Sequence, residues 1–363
     1  MTPRRGAFLA LIASSGLMAG CATTMGPPVS PSEYQMARSV LEGKAQRFRY
    51  AQLARVTSVG IRLLQALPLD VQAQATPTPY TGLLVAPLEW ELGRAYGIPG
   101  EFIGGQGHER RVVLIAAVVP GGPAARAGVK PGDLLRSVND FPVRTPSEAI
   151  ESLRRLAPGS TVSLGLEREG APVQVSLVVD RRPYPVRFKL VADGPQADSW
   201  NAWAAQGEIN VTSRLLAFMH SDDELAVVMG HELAHLVRGH LAKGLGTSLL
   251  GAVVAEAVGQ ATGVGDLGNL AGGVVDSGFS RDFEREADYV GLQFMYRAGY
   301  DIRVAPLLWE RVATEMPRGV AIPWLASHPS DPERMVRLQR EVDELMAQPA
   351  SSATPAPRPP RRG

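Results

Sequence analysis

The pentapeptide His231-Glu232-Leu233-Ala234-His235 constrains this chain more than any other stretch of it. In an α-helix, side chains four residues apart return to the same face. Two imidazoles on one face can grip a zinc ion, and a glutamate beside the first can reach a water held at that ion. The pattern therefore calls for a helix that carries two metal ligands, His231 and His235, and a general base, Glu232, within about one turn.

The flanking residues predict that helix. Ser221 followed by Glu224 has the form of a capping box, and Asp222 and Asp223 suit the positive end of the helix dipole. Leu225, Met229, Leu233 and Leu236 make one apolar stripe, and Gly244 and Gly246 are candidate stops. At about 100° per residue, the two histidines project roughly 140° from the centre of the stripe, off the expected core face. A site with two histidines and a glutamate takes its third protein ligand from a carboxylate. Phe279 to Gly291 opens a second helix in which Glu284 and Asp288 share a face. One of them can bind a metal while the other orients a ligand imidazole from behind. Spacing alone leaves a solvated face equally open, because Arg281, Asp282, Arg285 and Glu286 surround the pair.

Four ordered blocks go beyond the pentapeptide: Asn201 to Trp203, Asp222 to His240, Ser280 to Asp288, and Ser327 to Arg334. With them, the chain from Arg187 to Glu344 resembles the HtpX/BepA-like zinc metallopeptidases, family 48 of the metallopeptidases, which are gluzincins related to the CAAX prenyl endopeptidases. The resemblance implies a mostly helical zincin-type core with a small edge sheet and one Zn2+ per chain. It makes Glu284 the third ligand and Asp288 the partner of a ligand histidine. It also brings His328 close to the metal, either as a latch on the fourth position or as a donor to the developing oxyanion. Arg334 completes the same block, and a salt bridge that orders the loop is its alternative role. His240 lies five residues past His235, points off the ligand face, and is not read as a ligand. The hairpin Trp200 to Val211, turning at Gln206-Gly207, is predicted to offer an edge strand to an extended substrate. By resemblance the substrates are misfolded or stalled outer-membrane proteins in the periplasm, cleaved in envelope protein quality control. Two readings from other classes stand beside this one. One is a chaperone-like client-binding protein whose zinc site is latched by His328, the other a membrane-surface scaffold.

The middle of the chain is a different module. Val112 to Leu135 resembles the PDZ domains of bacterial proteases: a buried strand, a turn at Pro120 to Pro123, a short helix, and a turn at Gly132-Asp133 into the next strand. The domain is placed at 80–183, inserted between a helix in 32–75 and a peptidase core at 184–346. The whole is therefore α+β, the inserted PDZ domain being sandwich-like or barrel-like. PDZ domains take a peptide along a sheet edge and cap its C-terminal carboxylate with backbone N–H groups. Tyr80, Thr81, Gly82, Leu83 and Leu84 are the candidate carboxylate loop. Their departure from the usual glycine pattern, and the insert Glu89 to Gly107, leave a purely structural PDZ open.

At the N-terminus, Arg4 and Arg5 precede the mostly apolar run Ala7 to Ala19, which fits a secretory signal peptide over residues 1–20. The run ends in Leu17-Met18-Ala19-Gly20-Cys21, which resembles a bacterial lipobox. Cys21 is the single cysteine of the chain and the expected lipidation site. Ala22 after it, rather than aspartate, resembles lipoproteins sorted to the outer membrane. A tether over 21–31 and a disordered tail over 347–363 complete the organisation.

With 363 residues and 45% hydrophobic residues the chain can build one or two ordinary cores, and a net charge of +1 argues against nucleic acid as its partner. Strongly apolar, charge-free runs of membrane-spanning length are missing. Leu245 to Val275 comes closest and is expected to pack beside the site or to form a lid or membrane-facing flap.

Overall fold

The structure is a computed structural model that describes residues 27–103, 112–205, 207–240, 243, 280–316, 324, 325, 328 and 332–347. The expectations for 1–20, Cys21, 245–275 and nearly all of the tail fall outside these residues.

Helix α1 (Pro31–Gln65) starts where the sequence supplies a complete capping box: Ser30 accepts from the Glu33 N–H, and the Glu33 carboxylate accepts from the Ser30 N–H at 2.8 Å. Such a cap is worth about 1 kcal/mol. The second half of α1 is buried from Ala54 to Leu64, while Tyr34, Leu41 and Phe48 in its first half remain exposed. A short α2 (Leu69–Gln72) follows Pro68.

Two short strands then pair antiparallel around the middle module, β1 (Thr78–Tyr80) with β8 (Asp180–Arg182). Between them, β2 (Leu83–Pro87), β3 (Val113–Val118), β4 (Leu134–Val138), β6 (Thr161–Arg168) and β7 (Ala171–Val178) form one sheet in the order β2-β3-β4-β6-β7, with β5 (Phe141–Pro142) paired to β4. The β4–β5 turn needs left-handed backbone at Asn139 (φ 47°) and Asp140 (φ 64°), which their short polar side chains tolerate. Helix α5 (Pro123–Arg126) and helix α6 (Pro146–Arg154), capped by Thr145, belong to the same module. Its core gathers Val113, Ile115, Leu135, Leu164 and Leu166. Strand β2 is an edge of the sheet. The unusual insert forms α3 (Trp90–Ala95) and α4 (Gly100–Ile103). Gly43 of α1 lies so close to α3 that a Cβ there would sit 2.0 Å from the Glu91 carbonyl oxygen. The insert thus joins the sheet module to the long helix.

A second, three-stranded sheet has the order β10-β11-β9, from β9 (Arg187–Val191), β10 (Ala202–Ala205) and β11 (Glu208–Thr212). The hairpin turn uses Gly207 at φ 80°, and β10 is left as an edge, as its pattern predicts. After α7 (Ser213–Phe218), the pentapeptide helix α8 (Asp222–Val237) runs through the middle of the largest core, next to α9 (Arg281–Arg297), α10 (Val304–Glu315) and α11 (Pro332–Ala347).

Three local expectations change here. The Ser221 side chain caps α8, but the Glu224 carboxylate reaches the His220 N–H and Arg311 instead of closing a capping box. The helix stops at Gly239 (φ 66°), well before Gly244. Every residue from Leu225 to His235 is buried, so no solvated face opposes the apolar stripe. The reason is that neighbouring elements cover α8 on all sides, and its polar face meets a polar face of α9.

Candidate metal centre

The two helices that carry the chemistry touch backbone to backbone. A Cβ on Gly291 would lie 2.9 Å from the Gly230 carbonyl carbon and from the His231 nitrogen. Only glycine at this crossing lets α9 approach α8 so closely. The approach sets Glu284 and Asp288, two turns and one turn before Gly291, against His231 and His235.

His231, His235, Glu284 and His328 each present one donor atom, and the four atoms lie within 4.8 Å of one another. The Nε2 atoms of His231 and His235 are 3.0 Å apart, and Glu284 oxygens lie 3.4 and 3.3 Å from them. His328 Nδ1 is 3.1 Å from His231 Nε2 and 2.9 Å from Glu284 Oε1. Four donors each about 2.0–2.1 Å from a tetrahedral zinc would stand about 3.3 Å apart. The Nε2 atoms of His231 and His235 both turn toward this point, as two neutral imidazoles that share one metal would. The donor set and its spacing fit a single zinc ion.

Charge balance points the same way. The buried cluster sets three carboxylates, Glu232, Glu284 and Asp288, against one guanidinium, Arg334, a deficit that one divalent cation cancels. Burial alone would push the His231 imidazole down, yet Glu284 and Asp288 outweigh it and raise it to about 9. Burial pushes His235 down to about 4. The Glu284 carboxyl is held well below the usual range: burial opposes this, but the charge and hydrogen bonds of His231, with bonds to His235 and His328, prevail.

Glu232 is fully buried, and neither of its oxygens has a hydrogen-bond partner among the described residues. His328 Nε2 lies 3.3 Å from its Oε1. His328 therefore turns one ring nitrogen to the donor cluster and the other to the carboxylate. Its backbone N–H donates to the Trp324 carbonyl, and the Trp324 N–H donates to the Trp200 carbonyl at the foot of the hairpin. Trp324 stacks on Trp309 at 4.7 Å between ring centroids.

Behind the donors, His231 Nδ1 meets Asp288 Oδ1 at 2.9 Å, and Arg334 Nη2 donates to the same oxygen at 2.6 Å. Arg334 lies over the Trp309 ring, 3.6 Å from its centroid. It thus ties α11 to α9. Sequence reasoning missed the reach of Arg334 to Asp288, the Gly230–Gly291 crossing, and the place of His240, which is fully buried beside His235. A glycine directly before the first ligand histidine, inside a helical pattern, was the available signal for the crossing.

The candidate carboxylate loop lies apart from this cluster. Tyr80 and Thr81 are buried, Gly82 sits at φ 76°, and Leu83 and Leu84 begin the free edge strand β2.

Residues 173–342 match the model of Peptidase family M48, and residues 114–168 match that of the PDZ domain. Among curated proteins, the chain is similar to the mitochondrial metalloendopeptidase OMA1 of Arabidopsis thaliana, 35% identical over 128 residues, which is 35% of this chain and 26% of that protein. It is 27% identical over 173 residues to the beta-barrel assembly-enhancing protease of Yersinia pestis, covering 43% of this chain and 35% of the relative. To the metalloprotease YcaL of Escherichia coli (strain K12) it is 30% identical over 149 residues, 39% of this chain and 58% of the relative. The chain thus spans from about a quarter to under three fifths of the length of these relatives.

Proposed function

We propose, from the premise that this chain carries a peptidase family M48 domain together with a PDZ domain, that it is a zinc-dependent endopeptidase of the bacterial envelope. The observation that carries the reading is the convergence of His231, His235, Glu284 and His328 beside the buried Glu232, whose oxygens make no hydrogen bond among the described residues. His231, His235 and Glu284 are the metal ligands, and Asp288 orients His231. A bound zinc supplies Lewis acidity toward a peptide carbonyl and lowers the pKa of a water at the site. Glu232 takes the proton of the attacking water and returns it to the leaving amide nitrogen. The edge strand β10, which packs on α8, holds the substrate backbone extended.

His328 occupies a donor position that a substrate or water would need, and it also faces Glu232. This favours a resting state in which His328 latches the site and swings away when substrate enters. In the chaperone-like alternative the latch never opens. The edge strand β2 and the loop Tyr80 to Leu84 capture peptide C-termini, and lipid on Cys21 ties the protein to the outer membrane. Misfolded or stalled outer-membrane proteins are its substrates, a reading supported by its likeness to a beta-barrel assembly-enhancing protease.

The test compares wild type with Glu232→Gln on an unfolded outer-membrane protein. Hydrolysis should fall by roughly 10²–10⁴-fold with zinc content unchanged, and equal rates would end the peptidase reading. His328→Ala should cleave faster if the residue is a latch, whereas abolished cleavage assigns it to the oxyanion.

A further inference from the structure

One histidine of the sequence motif has no role in the chemistry above. His240 is fully buried and lies against the second ligand histidine, not among the donors. Five residues along an unbroken helix would carry it roughly 140° away from His235. The left-handed Gly239 (φ 66°) ends α8 first and folds the chain back, so that the His240 ring comes to rest beside the His235 ring. Their Nδ1 atoms are 3.0 Å apart, and the centroids are 5.0 Å apart with the rings near perpendicular. On its other side, His240 Nε2 is 3.0 Å from Glu286 Oε2, and Arg238 Nε donates to Glu286 Oε1 at 2.5 Å. Phe283 stacks flat on the His240 ring, at 4.4 Å and 8°.

We infer that His240 and Glu286 form a positioning relay that fixes the tautomer and ring orientation of His235 for the zinc. The proton placement follows from the contacts. His235 turns Nε2 to the donor cluster, so as a neutral ligand it carries its proton on Nδ1. That N–H points at His240 Nδ1, which must accept, so the His240 proton sits on Nε2 and donates to Glu286. Any other placement sets two N–H groups, or two lone pairs, against each other at one joint of the chain. A ligand imidazole whose far nitrogen donates to a fixed acceptor binds metal better, because its rotation and tautomer no longer have to be selected on binding.

The relay mirrors the one behind His231, where Asp288 and Arg334 take the corresponding places. Helix α9 supplies both from alternate positions. Glu284 faces the metal, Asp288 backs His231, and Glu286, on the opposite side of the helix from Glu284, backs His235 through His240. The outer end of the second relay is the more accessible one: the Glu286 side chain is 31% exposed, against 6% for Asp288.

This inference rests on the zinc reading, and the experiment separates the two. Zn2+ affinity of the full-length protein is measured by competition with a chromophoric chelator, and the Co2+-substituted forms are compared by their visible d–d absorption. His240→Leu fills the space but cannot accept, so Zn2+ should bind about 10–100-fold more weakly and the Co2+ spectrum should shift. His240→Asn places a side-chain oxygen near the lost Nδ1 and should restore affinity to within about threefold of wild type. Glu286→Ala, at a partly exposed position that leaves the core packing alone, should weaken Zn2+ several-fold and serves if His240→Leu fails to fold. Leu and Asn variants that bind alike, or a Glu286→Ala variant that binds as wild type does, overturn the relay while the zinc site stands. A wild-type chain that binds no Zn2+ overturns both.

Discussion

The PDZ module and the helical core that holds the donor cluster each enclose a well-packed apolar cluster, yet they treat buried charge in opposite ways. Among the described residues of the PDZ module one carboxylate is buried, Asp133, and it is saturated: Arg168 donates to both of its oxygens at 2.7 Å and the Lys130 N–H adds a third bond at 2.8 Å. In the helical core, four histidines, three carboxylates and one guanidinium are buried together among the described residues. Burying charge without compensation costs several kcal/mol per group. The first region thus balances its buried carboxylate with its own side chains, whereas the second sets more buried carboxylates than cations among the described residues, a balance that a bound divalent cation would restore.

Chelation should separate the two most sharply. A metal that binds the folded core at 1,000 times its Kd stabilises it by about 4 kcal/mol. Stripping the protein with a chelator should lower the core transition in calorimetry and leave the PDZ transition in place. Two transitions that fall together would break the comparison.

Leu164→Ala is the converse experiment. Leu164 is fully buried in the PDZ core, so the cavity should cost about 3 kcal/mol, read as a lower PDZ transition. Zn2+ affinity should not change, and a parallel loss of affinity would show that the core depends on the module beside it.

A smaller effect is expected at the helix crossing. Gly291→Ala forces a Cβ to within 2.9 Å of α8 backbone, which should cost about 2 kcal/mol as α8 and α9 part. Because the ligands straddle this contact, Zn2+ affinity should fall with stability. A variant that loses stability but keeps its affinity would mean the donor geometry does not depend on the crossing.

The smallest expected effect concerns Glu341 of α11, whose carboxyl is raised to about 7 by burial and then by the Asp288 charge. Between about pH 4.5 and 7 the folded chain keeps a proton that the unfolded chain releases. The contribution is therefore fully present below the ordinary pKa and is lost as pH rises through 7. Discounted for partial exposure, it amounts to about 1 kcal/mol. With Zn2+ in excess, the core transition of wild type should fall between pH 5.5 and 8. Glu341→Gln should flatten that fall, and an unchanged slope would assign it to other groups. The PDZ transition should not respond to the substitution.

The elements that were legible in the sequence are those built by local rules. Ser221 announces the start of α8, and Gly207 the turn of the hairpin. The four-residue spacings of His231 with His235 and of Glu284 with Asp288 state which side chains share a face. The role of His240 was not legible, because it depends on Gly239 ending the helix one residue earlier. The reach of Arg334 to Asp288 was hidden as well, since it requires α11 to pack against α9.

By itself, the sequence determined the chemical inventory: two imidazoles and a glutamate on one helical turn, a carboxylate pair on another, and a separate β-rich module between α1 and the core. Periodicity and capping act over a few residues, so they can be read from a few residues. Tertiary structure alone decided that these faces converge, that His328 closes the cluster against Glu232, and that His231 and His235 each have a partner behind them. Those outcomes depend on how closely two helices can approach, which is set where Gly230 meets Gly291, and no local pattern encodes that distance.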